Sequence, residues 1–267
     1  MLLKGYRILI FIFFLTRTTE GSLIKLGLAL GIAQTIVLLI ASMTFFVNRY
    51  KQYAPTLKNI DFLKAKDIFN LGAKFFLIQI SAIVIFQTTN FVITQVLGPA
   101  QVTTYNIAYK YFFSIGMVFA IILTPFWSAF TDAYTKNDYN WMRKAARRLK
   151  KIWLMIIPIV LIMLLISSFV YRIWIGNAVV IPFSVSVFST LYVILFSRFN
   201  LFIFLINGMG KIQLQLYTNI IISIVFIPIA IYSGKWFGLE GIIAANIAVA
   251  LTHSILSNIQ VNKLING

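Results

Sequence analysis

The sequence predicts an all-α integral membrane protein with about seven to eight transmembrane helices. Three observations predict it. Hydrophobic residues make up 60% of the 267 positions and charged residues only 11%, whereas soluble domains carry about 25% charged residues. Mean hydropathy is +0.92. Long apolar runs recur along the chain, each bounded by charge, Pro or Gly. The formal net charge of +17 does not indicate a nucleic-acid binder, because such proteins are rich in charge and poor in long apolar runs. The length accommodates roughly seven or eight spans of about 20 residues with short loops. It leaves no room for a large extramembrane domain.

The elements follow in order. The first segment, about 2–16, is short for a full crossing. Lys4 and Arg7 followed by an apolar run mimic a signal peptide, but no small-x-small cleavage pattern follows. Helices are expected at about 26–47, 71–96, 103–130, 152–174, 181–206, 212–233 and 239–262. Pro125 lies inside one span and is expected to kink it near Ile121, and Pro158 and Pro228 fall inside two others.

Loop charge gives the direction of insertion. Arg49, Lys51, Lys58, Lys64 and Lys66 fall in one loop. Lys136, Arg143, Lys144, Arg147, Arg148, Lys150 and Lys151 fall in another on the same side, with Lys211 and Lys263 in the next two turns. This side holds 14 of the 23 basic residues. The opposite side has Arg17, Lys25, Arg172 and Lys235. Positive charge is retained on the cytoplasmic side, so the 14-residue side, with the C-terminus, is expected to be cytoplasmic.

On a helical wheel, residues 138–153 separate into two arcs. Trp141, Met142, Ala145, Ala146, Leu149, Ile152 and Trp153 fill one; Arg143, Lys144, Arg147, Arg148, Lys150 and Lys151 fill the other. This pattern describes a helix lying in the headgroup layer, with Asp138 as its N-cap. It reads either as a lipid-headgroup sensor or substrate funnel, or as a cytoplasmic surface anchor leading into the next span.

Ionisable residues within spans indicate a site by default. Three basic residues qualify: Arg198, Lys110 and Lys74. No Asp or Glu falls in mid-span; Asp67, Asp132 and Glu240 lie near the ends. A cavity built from these helices is expected to be positive and to favour an anion. Polar stripes follow one face of three spans: Thr103, Asn106, Lys110 and Ser114; Gln79, Gln87, Asn90 and Thr94; Asn246, His253, Ser257 and Gln260. Either a water-accessible interior or hydrogen bonding between helices uses these residue types. Arg198 fits a phosphate through its planar donor fork, or snorkels to headgroups. Lys74 reads as a snorkelling residue at a helix end. His253 is either a hydrogen-bonded packing residue or part of a proton relay.

Cysteine is absent, which excludes disulfides, thiolate metal sites and cysteine nucleophiles. One histidine makes no His-rich metal cluster, and no cofactor is expected. There is no Walker loop, dinucleotide-binding glycine pattern, HExxH motif or helically spaced carboxylate pair. The sequence is not expected to encode an enzyme.

Several blocks carry a family resemblance. The run from Gly72 to Asn90 leads to Leu97-Gly98-Pro99 and Val102-Thr103-Thr104-Tyr105-Asn106. Then come Pro125-Phe126-Trp127-Ser128-Ala129, Asn137-Asp138-Tyr139-Asn140-Trp141, Trp174-Ile175-Gly176, Asn207-Gly208-Met209-Gly210-Lys211 and Gln213-Leu214-Gln215. In this order and spacing, over about residues 60–262, the chain resembles the polysaccharide repeat-unit (O-antigen) flippases. These share a superfamily with multidrug and toxin extrusion (MATE) transporters and peptidoglycan lipid flippases.

The resemblance implies two six-helix lobes around a central cavity, with alternating access. It implies an isoprenoid-diphosphate-linked oligosaccharide moved from the inner to the outer leaflet. Residues 1–66 would be the end of the N-terminal lobe and 67–267 a complete C-terminal lobe. Most of an N-terminal lobe is absent from this sequence, which implies a truncated or split chain, or pairing with a separate lobe. Under this reading Arg198 and Lys110 contact the diphosphate or acidic sugars, and Asn90 and Asn106 are polar cavity partners. The alternatives are a multidrug or toxin cation antiporter, which wants a buried carboxylate, and a non-transporting membrane fragment that scaffolds a partner.

Overall fold

The computed structural model describes residues 23–48, 50–56, 62–176 and 178–266. All regular structure among them is helical: α1 (Leu23–Val47), a 3-10 turn (Lys51–Tyr53), α2 (Phe62–Leu97), α3 (Pro99–Thr135), α4 (Tyr139–Ile175), α5 (Phe183–Met209) and α6 (Gln213–Asn266). Five of these helices are long and apolar enough to cross a membrane: the Ile68–Leu97 part of α2, then α3, α4, α5 and α6. The protein is a multi-pass membrane protein. The expected segment at 2–16 lies outside the described residues.

The chain divides into two compact units, Met1–Lys66 and Asp67–Gly267. In the first, α1 is mostly apolar and leaves Leu38 and Met43 exposed. After it, the Tyr50 ring packs between Phe45 and Tyr53, at 5.9 Å and 6.5 Å.

The second unit is built around α5, which packs against α3, α4 and α6. One core cluster joins Phe119, Leu123 and Phe130 of α3 to Met142 and Leu149 of α4 and to Leu201, Leu205 and Ile206 of α5. A second joins Val92 and Ile93 of α2 to Ala108 of α3, Val185 of α5, and Phe226 and Ile242 of α6. Outward side chains such as Leu165 and Trp236, each 79% exposed, are apolar. Exposed apolar side chains suit a lipid solvent, in which dispersion contacts rather than hydrophobic burial hold helices together.

The last two expected spans form the single element α6, broken at Gly238, whose φ of 63° and ψ of −144° are not helical. A side chain at that φ is strained, so glycine makes the break. The chain folds back there. The Ile242 side chain closes on the Gly234 backbone, and Gln260 Nε2 donates to the Lys211 carbonyl at 2.6 Å. In a straight helix, residues 234 and 242 would stand about 12 Å apart. Segments 213–237 and 239–266 are therefore two antiparallel arms.

Two expectations need correction. The helix expected at 71–96 begins at Phe62, because Lys64 and Lys66 are good helix formers and a helix need not stop where the hydrocarbon does. The amphipathic stretch 138–153 is not a separate headgroup-layer helix with its apolar side down. Asp138 does cap it, accepting the Trp141 N–H at 3.0 Å, but the helix runs without interruption to Ile175. Its apolar arc faces protein: Met142 and Leu149 are 0% exposed, and Trp141 meets Phe130 edge-on at 5.5 Å. Helices α3, α4 and α6 continue through Pro125, Pro158 and Pro228.

Candidate functional site

A cavity of about 590 Å³ opens between α2, α3, α5 and both arms of α6. Its wall has three kinds of residue. Phe75, Phe86, Tyr105, Tyr109, Trp127, Tyr192, Phe196 and Phe199 supply aromatic surface. Gln79, Asn200, Asn207, Gln215, Asn219 and Asn246 supply amides, and Thr89 and His253 complete the polar set. Ile78, Ala82, Ile85, Ile203, Val249 and Ala250 fill the remainder. Among the described residues, no Lys, Arg, Asp or Glu lines it.

The aromatic wall is built by helical spacing. Tyr105 and Tyr109 are one turn apart on α3 and stack at 5.7 Å, and Tyr109 continues onto Phe113 at 4.8 Å. Tyr192 approaches Tyr109 from α5 at 6.3 Å. Trp127 stacks on Phe75 at 6.0 Å and meets Phe204 edge-on at 5.8 Å. At the other end Phe199 stacks on His253 at 4.9 Å.

Some of the polar groups are paired and some are free. Thr89 donates to Asn246 Oδ1 at 3.3 Å, and Asn246 Nδ2 donates to the Ile242 carbonyl at 3.2 Å. The buried oxygens Asn207 Oδ1 and Gln215 Oε1 accept no hydrogen bond among the described residues. An unpaired acceptor away from water is costly unless a ligand or water supplies a donor. Beside the cavity, Phe199, Ile203, Gln215 and His253 also border a small space of about 10 Å³ that reaches Ser257 and Gln260.

Residues 23–179, more than half of the chain, match the family described as polysaccharide biosynthesis protein. The chain belongs to that family. No curated protein matches the sequence. Among solved structures, the crystal structure of a mutant MATE protein superposes with a TM-score of 0.69 at 19% identity, covering 91% of this chain and 57% of that one. At that identity the match establishes the fold. This chain thus spans little more than half the length of the MATE protein it matches. Family and fold agree with the exporter superfamily that the sequence resembles.

In this polysaccharide biosynthesis protein the residues expected at the site are dispersed. His253 and Asn246 line the cavity, and Ser257 and Gln260 border the small space, so the stripe on the last arm faces inward. Asn90 and Asn106 meet each other instead: Asn106 Nδ2 donates to Asn90 Oδ1 at 2.9 Å, and neither lines the cavity. Lys110 is exposed on the same α3 face, one position around the helix from Tyr109. Arg198 is half-buried on the α4 side of α5, its guanidinium 5.6 Å from the Trp153 ring and 6.0 Å from the Phe202 ring. Lys74 is half-buried outside the lining.

The expectation of a positive cavity is therefore corrected: its described lining is uncharged. A 100° rotation about α3 turns Tyr105 and Tyr109 inward and carries Lys110 away. Sequence reasoning missed Asn200, Asn207, Gln215 and Asn219 as site residues. Their signal is helical spacing: 200 and 207 lie two turns apart, 215 and 219 one turn.

Proposed function

We propose that the chain forms part of a transporter that flips isoprenoid-diphosphate-linked oligosaccharide units from the cytoplasmic to the outer leaflet for polysaccharide biosynthesis. One observation carries the reading. The cavity combines aromatic faces with amides, two of whose oxygens lack a donor among the described residues, and its described lining is uncharged. Sugar rings present apolar C–H faces to aromatic rings and hydroxyl donors to amide oxygens. Such pockets hold a ligand by apolar surface and orient it by a few placed polar groups. The oligosaccharide would enter here while the lipid tail stays in the bilayer.

Residues 67–267 would then be a C-terminal lobe and 1–66 the end of an N-terminal lobe, working with further lobe sequence or a partner chain. The basic side would be cytoplasmic in a bacterial inner membrane, with the C-terminus inside. Lys110, exposed on α3, would meet the diphosphate outside the cavity. A drug-cation antiporter would want a carboxylate in the wall, and the described lining has none.

The test is flipping of a lipid-linked oligosaccharide in reconstituted vesicles, with the partner lobe supplied. Asn219→Leu and Tyr109→Leu should each lower flipping while leaving helix content unchanged. Wild-type flipping by both variants would overturn the reading.

A further inference from the structure

We infer that Lys150 and Arg198 form a binding site for the phosphate of an acidic phospholipid, on the flank of α4 and α5 and independent of the transported substrate. Both cations approach one ring: Lys150 Nζ lies 5.4 Å and Arg198 Cζ 6.0 Å from the Phe202 centroid. Arg198 also faces Trp153 at 5.6 Å. That indole is fixed, because its Nε1 donates to the Ile194 carbonyl of α5 at 3.1 Å. The guanidinium carbon lies over both rings, and among the described residues its N–H fork donates to no partner, which leaves it free for an anion.

Among the described residues no acidic side chain neutralises the pair. Among the described residues, neither cation forms a salt bridge or a side-chain hydrogen bond; the ion pair present is Lys136–Asp132, elsewhere. Two half-buried like charges beside one ring repel, and the repulsion grows as water is removed. An anion between them reverses the sign. A phosphodiester fits, since the fork binds phosphate oxygens in a bidentate manner and the ammonium adds a point charge.

Depth identifies the source of the phosphate. Lys150 and Lys151 end the basic stretch of α4, and the apolar run begins at Ile152. Arg198 is level with Trp153 across the helix pair. The site thus sits at the hydrocarbon boundary, where lipid phosphates lie. Basic pockets between membrane helices bind such headgroups.

The test is lipid retention by the full chain in nanodiscs of phosphatidylglycerol and phosphatidylcholine, read by native mass spectrometry. Wild type should retain phosphatidylglycerol preferentially. R198Q and K150Q should each reduce that preference about fivefold, and R198K should fall between. K136Q removes one charge outside the site and should change nothing. Helix content and unfolding temperature in phosphatidylcholine alone verify the fold; should R198Q misfold, K150Q carries the test.

Unchanged retention by R198Q and K150Q would overturn the site, and an equal loss in K136Q would reduce it to diffuse attraction. R198K behaving as wild type would remove the fork from the account. Displacement by soluble glycerol phosphate would make it a free-phosphate site. Displacement by equimolar polyprenyl diphosphate would make it a carrier site. Either displacement overturns the phospholipid assignment.

Discussion

Phe199 lies against His253 with ring centroids 4.9 Å apart and planes inclined by 29°. This stacked pair belongs to the wall of both the large cavity and the small space beside it. Among the described residues of either wall, no carboxylate stands beside His253 to exchange a proton with. Its surroundings suit an aromatic packing residue with one polar edge.

The first prediction separates that role from a proton relay. His253→Phe keeps an aromatic ring at the position and removes both nitrogens. Flipping should fall only a few-fold, with the same pH profile as wild type. Loss of an obligatory proton carrier would cost about a hundredfold or more and flatten the profile. Flipping rates across a pH series in vesicles measure both. Phe199→Ala, which opens the partition between the two spaces, should impair flipping more than His253→Phe does.

The second prediction concerns the unpaired oxygen of Gln215, a residue only 6% exposed. Gln215→Leu keeps the approximate volume and removes an acceptor without a donor. The variant should be more stable than wild type by about 1 kcal/mol, because the desolvation cost disappears. Its flipping should fall about threefold to tenfold, the worth of one hydrogen bond to a sugar hydroxyl. Unfolding in detergent and flipping in vesicles read the two effects separately. Lower stability would mean that Gln215 is a packing group rather than a ligand contact.

The helices were legible in the sequence because a bilayer permits few structures: apolar runs between charges must satisfy their backbone internally. Six of the runs correspond to α2, α3, α4, α5 and the two arms of α6, and one to α1. Their ends were not legible where helices outrun the hydrocarbon, as at Lys64–Lys66 and Arg143–Lys151. The cavity was legible only on the last arm, where Asn246 and His253 line it. On α3 the polar stripe pointed to Asn106 and Lys110, but the neighbouring tyrosine face turns inward. In lipid, polarity marks contact with a helix partner as often as with water. A tyrosine row does not stand out in a chain that is 16% aromatic.

The third prediction follows from the crossing of α3 and α5. A Cβ on Gly208 would sit 2.6 Å from the Trp127 carbonyl oxygen and 2.9 Å from Phe130 Cβ. The crossing is clasped by Thr131 Oγ1, which donates to the Gly208 carbonyl at 2.7 Å. Gly208→Ala should force the helices apart and destabilise by about 1–3 kcal/mol. Asn207 and Trp127, both in the cavity wall, flank this contact, so the same change should lower flipping. Thermal unfolding of the purified variant checks the first effect. An unchanged unfolding temperature would mean that the crossing relaxes freely.

The fourth prediction tests what Asn90 and Asn106 do. Their mutual hydrogen bond ties α2 to α3, and Asn106 Nδ2 also reaches the Val102 carbonyl at 2.9 Å. Both are half-buried and outside the cavity wall. A structural tie predicts coupling between them and little direct effect on ligand affinity. In a cycle of Asn90→Ala, Asn106→Ala and the double variant, the coupling energy should be about 0.6 kcal/mol, with about 1.7 as the upper end seen inside membranes. Sugar competition for the cavity should be the same in all four proteins. Zero coupling together with weaker sugar competition would instead return both residues to the substrate path.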